Sequence, residues 1–247
     1  MLSLNKVPTG IPGLDELLSG GFIPGRVIFV IGGPGTGKTI LSTQFIVNGI
    51  MRYGESGVFI SLDESKPQFY YEMAQFGWDL EKFEKEKKFL FVDATPIRTI
   101  PGTIKIGELT IGRREFSLLS LIEVIKRSVK EINAKRLALD SLAPLVFQYS
   151  DPFERRGAIL DLIEALIETS ATCIVTNELE MAGMERTIQP EEYLAQGVIL
   201  LQSLQIGKNL VRALRVEKMR GSAIDTQLRP YNITNKGIEV YPKETIF

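Results

Sequence analysis

The sequence contains no histidine and a single cysteine, Cys173. The first absence excludes histidine metal sites, Ser-His-Asp triads and histidine phosphorelay. Any catalytic base must then be a carboxylate, a lysine, a tyrosine or water. The second excludes an intrachain disulfide. Cys173 lies in the apolar run Ala171-Thr172-Cys173-Ile174-Val175, the setting of a buried strand residue rather than a reactive thiol. Charge of one sign is also missing: 29 Lys+Arg face 30 Asp+Glu over 247 residues. No global field therefore recruits nucleic acid or an anionic membrane. No apolar run reaches membrane-spanning length, and Met1 to Gly10 has no apolar signal-peptide core. A soluble cytoplasmic protein with no membrane partner is the expectation. Repeats, low-complexity tracts and linkers are absent too. A single domain over 1–247, with room for a sizeable core, is expected.

What is present is an alternation of short apolar runs with helical periodicity. Arg26-Val27-Ile28-Phe29-Val30-Ile31 halts at glycines and reads as a buried parallel strand. Leu41, Phe45, Ile46 and Ile50 predict a helix from Lys38 to about Tyr53. Strands are predicted at Val58 to Leu62 and Phe89 to Val92, with helices at Lys66 to Phe76 and Leu80 to Lys88 between them. Pro96, Pro101, Gly102, Gly107 and Gly112 predict a loop or small hairpin over 94–114. A helix from Phe116 to Ile132 and a strand from Arg136 to Asp140 follow. Ser150-Asp151-Pro152 opens a helix to about Thr169, and Thr172 to Thr176 is a strand. Met181 to Pro190 reads as a loop. Strands are then expected at Val198 to Gln202, Leu210 to Glu217, Tyr231 to Thr234 and Ile238 to Val240. Together these give an α/β fold, with a mostly parallel sheet flanked by helices and an antiparallel C-terminal strand region.

The chemistry concentrates at Gly32-Gly33-Pro34-Gly35-Thr36-Gly37-Lys38-Thr39. Glycines let the backbone turn tightly, so that successive N–H groups face one anion, and the helix beginning at Lys38 adds its positive end. Lys38 can reach the β- and γ-phosphates of a nucleoside triphosphate, and Thr39 can ligate magnesium. ATP with Mg2+ is the expected cofactor pair. Asp140 ends the apolar strand Leu137-Ala138-Leu139 and suits a water-mediated magnesium contact. Asp63-Glu64 ends the second strand, which in a parallel sheet opens on the same side as the loop. A carboxylate there can polarise the water that attacks the γ-phosphate.

Four blocks make the chain resemble the KaiC-like branch of the RecA superfamily of ATPases. They are Thr9-Gly10-Ile11-Pro12-Gly13-Leu14-Asp15-Glu16-Leu17-Leu18; Gly32 to Asn48-Gly49-Ile50 with Thr43-Gln44-Phe45; Val58-Phe59-Ile60-Ser61-Leu62-Asp63-Glu64-Ser65; and Lys218-Met219-Arg220-Gly221-Ser222 with the tail Ile233-Thr234-Asn235-Lys236-Gly237-Ile238. The match spans Val7 to Pro242. The resemblance implies a RecA-like P-loop core and a ring homo-oligomer, with a hexamer the expected size and ATP at the subunit interface. It also implies that Lys218 and Arg220, matching the family's Lys-x-Arg motif, reach the neighbouring subunit's γ-phosphate. A cation supplied across an interface stabilises transition-state charge and couples hydrolysis to assembly.

The chain departs from the family's clock members. Those carry two such domains in tandem. They have glutamate where Asp63 stands, and the shorter arm of Asp63 makes Glu64 at least as good a base. Their phosphorylated Ser-Thr pair aligns with Glu192 and Tyr193, so an autokinase cycle of that kind is disfavoured. Glu192 reads as a solvated helical acid or a fixed negative charge.

The function expected is an ATP-hydrolysing, oligomeric, nucleotide-driven switch for an unknown protein partner. The alternatives are a DNA-handling motor and an autokinase. Nucleic acid is disfavoured because the natural loop, Glu178 to Glu192, sets Glu178, Glu180, Glu185, Glu191 and Glu192 against Arg186 alone. Lys105 with Arg113-Arg114 is the best basic cluster, without an aromatic platform. Trp78 is expected to pack on the core, and Arg155-Arg156 to form a solvated face.

Overall fold

Along β1 (Val27–Gly32), Val27, Phe29 and Ile31 alternate with Ile28 and Val30, and all five are buried. Successive strand residues point to opposite faces, so burying both gives the unbroken apolar run seen in the sequence. Ile28 and Val30 share a core with Leu41 and Phe45 of α2 (Lys38–Tyr53). Val27, Phe29 and Ile31 face the other core, with Leu121 and Ile125 of α5 (Leu118–Glu131) and Ile159 and Leu162 of α7 (Pro152–Glu168). The sheet is thus the middle layer of a three-layer α/β fold.

This arrangement comes from a computed structural model, which describes residues 5–95, 118–179, 181–182 and 185–246. Lys105, Arg113, Arg114, the 94–114 segment beyond Thr95, and Phe116 and Ser117 lie outside the described residues.

The remaining strands are β2 (Gly57–Ser61), β3 (Phe89–Asp93), β4 (Arg136–Asp140), β5 (Thr172–Glu178), β8 (Gly197–Ile206), β9 (Asn209–Met219), β10 (Arg229–Thr234) and β11 (Gly237–Val240). The sheet has nine strands in the order β11-β10-β9-β8-β1-β5-β4-β2-β3. From β8 to β3 every pairing is parallel, and β8, β9, β10 and β11 pair antiparallel. The parallel core and antiparallel tail match the sequence reading. β8 and β9 run longer than expected. Past Leu201, β8 alternates half-buried and exposed positions, so no continuous apolar run marks it.

Helices α3 (Lys66–Ala74) and α4 (Leu80–Lys85) stop short of their expected ends, and Trp78 between them is buried and stacks on Phe76 at 5.0 Å. Short helices α1 (Leu14–Leu17) and α6 (Ala143–Gln148) are additions. The expected loop from Met181 to Pro190 contains a small hairpin, β6 (Met181–Ala182) with β7 (Glu185–Arg186), and runs into a 3-10 turn at Pro190–Tyr193.

The blocks carrying the family resemblance dock on one another. The Asp15 carboxylate accepts from Thr9 N and Thr9 Oγ1, both at 2.7 Å, and from Gly10 N at 3.1 Å. The Asn48 amide of α2 donates to Gly10 O at 2.9 Å. Gly13 has φ 77°, and a Cβ there would stand 2.0 Å from Val240 O, so only glycine fits. Gln44 of α2 donates to Ile238 O at 3.0 Å and accepts from Ile238 N at 2.6 Å. Gly10 near the beginning of the described residues and Ile238 near their end are both fastened to α2, the helix that follows the Gly32–Thr39 loop.

Candidate active site

β1 delivers Gly32 to the loop and α2 leaves it at Lys38. Gly35 and Gly37 have φ of 71° and 90°, a region side chains disfavour. A Cβ on Gly32 would lie 2.5 Å from Thr36 Oγ1 and 2.9 Å from Leu201 O, so the loop's root is packed tight. Cβ positions on Gly33 and Gly35 meet nothing within 4 Å. That side is open backbone, as an anion cradle requires. Thr36 is buried, its hydroxyl donating to Gly33 O at 2.8 Å while its carbonyl accepts from Tyr231 Oη at 2.6 Å. Pro34 lies at the outer turn between the two open glycines.

Lys38 Nζ donates to Gly32 O at 2.8 Å and Gly33 O at 3.2 Å, which folds its ammonium over the loop. Burial lowers its pKa, with Asp140, Glu178 and Asp63 opposing. Thr39 Oγ1 donates to Asp140 Oδ2 at 2.6 Å, and Thr176 Oγ1 of β5 donates to Asp140 Oδ1. Burial raises the Asp140 pKa, and the two hydroxyls pull it back. Parallel register sets Ser61 of β2 beside Asp140 of β4, so Asp63-Glu64 and Asp140-Ser141 emerge together. Ser141 Oγ donates to Asp63 Oδ2 at 2.7 Å, and Glu64 N donates to Ser61 Oγ at 2.8 Å. Glu64 Oε2 is buried and accepts no hydrogen bond among the described residues. Its carboxyl is pushed up to about 7, first by burial, then by Glu72, Asp140 and Asp63. A cleft of about 310 Å³ is lined by Gly33, Lys38, Thr39, Glu64, Glu72 and Met73 among others. A larger groove between α3 and α4, about 890 Å³, includes none of the loop residues.

The sheet therefore gathers Lys38, Thr39, Asp63, Glu64 and Asp140 at one end. Lys218 and Arg220 are elsewhere. Gly32 pairs with Leu201 of β8, whereas Lys218 pairs with Val198, beside Gly197, which is level with Ile28. Arg220 N donates to Gln196 O at 2.9 Å, and the Gln196 side chain in turn accepts from Val27 N. Both cations sit toward the end of the sheet opposite the loop, two strands from β1. In one chain they do not meet the loop.

Sequence reasoning missed Ser141, Thr176, Tyr231 and Glu72. A hydroxyl directly after Asp140, and another ending the apolar run of β5, were readable signals for the first two. Nothing local marked Tyr231. Glu192 is a correction: it is not a solvated helical acid. It is buried on the 3-10 turn, ion-paired with Arg186, and its carboxylate accepts from Gln189 N at 2.9 Å. Arg155 corrects likewise, pairing with buried Glu191 at 3.3 Å rather than lying on a solvated face. Glu191 and Glu192 therefore turn inward and drop out of the acidic surface expected over 178–192, where Glu180 lies outside the described residues. Burial wins at these positions because each acid meets an arginine.

No helix among the described residues is long and apolar enough to cross a membrane. A family model described as "ATPase: KaiC" matches residues 7–245. The chain is 37% identical over 243 residues to a UPF0273 protein of Pyrococcus furiosus, covering 98% of this chain and 96% of the relative. It is 35% identical over 245 residues to the circadian clock protein KaiC3 of a Synechocystis strain, covering 98% of this chain and 47% of that longer protein. Among solved structures, a KaiC-like protein from Pyrococcus horikoshii OT3 superposes with a TM-score of 0.81 at 37% identity, over 97% of this chain and all of the other.

Proposed function

The chain belongs to the KaiC family of ATPases, and from that premise we propose that it binds ATP with magnesium on Gly32–Thr39 and hydrolyses it as a ring homo-oligomer. A hexamer is the expected ring, with Lys218 and Arg220 of each subunit completing the next subunit's site. The nucleotide state then serves as a switch read by a protein partner in the cytoplasm.

The observation that carries this reading is the convergence of three groups on one cleft: the open glycine backbone under Lys38, the Thr39–Asp140 pair, and the unpartnered Glu64 oxygen. These residues fit the group. Backbone N–H donors and Lys38 suit phosphate oxygens, while Thr39 and Asp140 are hard oxygen ligands of the kind magnesium takes, directly or through water. When bound, magnesium would neutralise charge on the phosphates. Glu64 accepts the proton of the attacking water, for which a carboxyl titrating near neutrality is suited. Asp63, held by Ser141, flanks it. The remoteness of Lys218 and Arg220 from their own loop favours action on a neighbour.

Steady-state turnover tests this. Lys38→Ala should lower kcat by about 10²–10³-fold, the scale of removing a transition-state donor. Arg220→Ala should lower it by about 10³-fold, as for a cation supplied in trans, with little change in ATP affinity. Mixing Arg220→Ala with Glu64→Gln chains should restore part of the activity, because some interfaces then hold an intact base and an intact cation. No restoration at any ratio sinks the trans arrangement. Repeating the assay with DNA, and following label onto protein, separates the motor and autokinase alternatives.

A further inference from the structure

Lys218 and Arg220 carry positive charge, yet neither forms an ion pair among the described residues. Lys218 Nζ donates to the backbone carbonyls of Glu192 and Tyr193, each at 3.1 Å, and Arg220 donates to Tyr193 O at 3.0 Å. Carbonyl dipoles hold the cations without cancelling their charge. Two carboxylates, however, share the surroundings of Lys218, and the charge of Glu192 acts on it directly. Glu192 is on the turn that supplies those carbonyls. Glu217 precedes Lys218 at an irregularity of β9, where Val198 faces Lys218 but Ile199 faces Val216. A bulge of this kind re-aims side chains, and Glu217 and Lys218 both line one cavity of about 530 Å³ with Arg186, Glu192 and Tyr193.

Both acids are already taken. Arg186 of β7 pairs with Glu192 through one terminal nitrogen and with Glu217 at 2.9 Å through the other. Its side chain is 12% exposed, and the two carboxylates 6% and 21%. Arg155, at the start of α7, holds the same turn by Glu191. We propose that Arg186 is a positioning residue for the interface cation Lys218: by engaging Glu192 and Glu217 it keeps Lys218 from pairing with acids of its own chain, so that it remains available, beside Arg220, to the neighbouring subunit. This rests on the reading that Lys218 and Arg220 act in trans. Without Arg186, buried Glu192 would lose its ion pair beside Lys218, half-buried Glu217 would keep only the influence of Arg215, and Lys218 would be drawn to the vacated carboxylate.

The test uses the full chain. Arg186→Gln should lower kcat by about tenfold, the scale of coupling between contacting groups, with ATP affinity unchanged. Mixed with Glu64→Gln chains it should regain activity, since its own loop and base are intact and the second chain supplies sound cations. Adding Glu192→Gln and Glu217→Gln to Arg186→Gln should return turnover to near wild type. That triple variant has no buried charge to strand, so it remains informative if Arg186→Gln alone fails to fold. The proposal is overturned if the triple variant folds and turns over no faster than Arg220→Ala. It is also overturned if Arg186→Gln folds but is not rescued by Glu64→Gln chains in conditions where Arg220→Ala is. Should the Arg220→Ala mixture itself show no rescue, the trans reading fails, and this inference with it.

Discussion

Glu64 is held in two conflicting ways. Its backbone is pinned to Ser61, while its side chain faces a cleft shared with Glu72 and is pushed up to about 7 by burial and neighbouring acids. A carboxylic acid with a raised folded pKa is neutral below that value, so the base form appears as pH rises through about 7. Turnover at saturating ATP should climb across that range in wild type. The residual rate of Glu64→Gln should stay flat, and a wild-type profile already level from pH 5 would exclude Glu64 as the base. The stability consequence has the opposite direction. The folded state holds this proton more tightly than the unfolded state, so its contribution is complete below about 4.5 and lost as pH rises through about 7. Denaturation of wild type and Glu64→Gln at pH 5 and pH 8 should show the glutamine gaining relative stability at the higher pH.

At the scale of elements, the phosphate loop is gripped from behind by strands almost two hundred residues away in sequence. Tyr231 of β10 donates to Thr36 O, Gln44 locks to Ile238 of β11, and a Cβ on Gly37 would meet Ile233 and Ile238. Tyr231→Phe leaves a buried carbonyl without its donor, at a cost of about 1–2 kcal/mol. Urea unfolding should register that loss, and ATP affinity should fall with it because the vacated contact lies inside the loop. An unchanged affinity would mean that the loop holds its shape without β10.

These long-range contacts also mark the limit of what the sequence discloses. β1, β2, β4 and β5 were legible because burial on both faces writes an unbroken apolar run. The loop was legible because glycine spacing is a local backbone requirement. The pairing of Thr39 with Asp140, the neighbouring exits of Asp63 and Ser141, and the inward turn of Glu192 depend on strand order and register. None of those is a property of any short window. The outer halves of β8 and β9 stayed partly hidden for a different reason: one exposed face interrupts the hydrophobic signal.

For the whole molecule, the trans reading proposed above makes the loop end of the sheet and the end carrying Lys218 and Arg220 two surfaces that meet between neighbouring chains. Surfaces of this heterologous kind close into rings when the rotation permits. An enzyme whose sites are shared loses them when subunits part. Activity per chain should therefore fall steeply on dilution, and fall less when ATP is present during dilution. Activity per chain that is independent of concentration, with light scattering showing monomer, would place the whole site within one chain.

The grip of β10 and β11 on the loop also bears on how the protein is made. Gly32–Thr39 leaves the ribosome long before Tyr231 and Ile238 do, yet its carbonyl at Thr36 and the face of α2 at Gln44 await those residues. Domains tend to fold as units while synthesis proceeds from the N-terminus. A nascent chain would thus carry its complete phosphate-binding sequence through most of translation without the backing that holds it in shape, and competence to take up nucleotide would arrive only as β10 and β11 close over the loop.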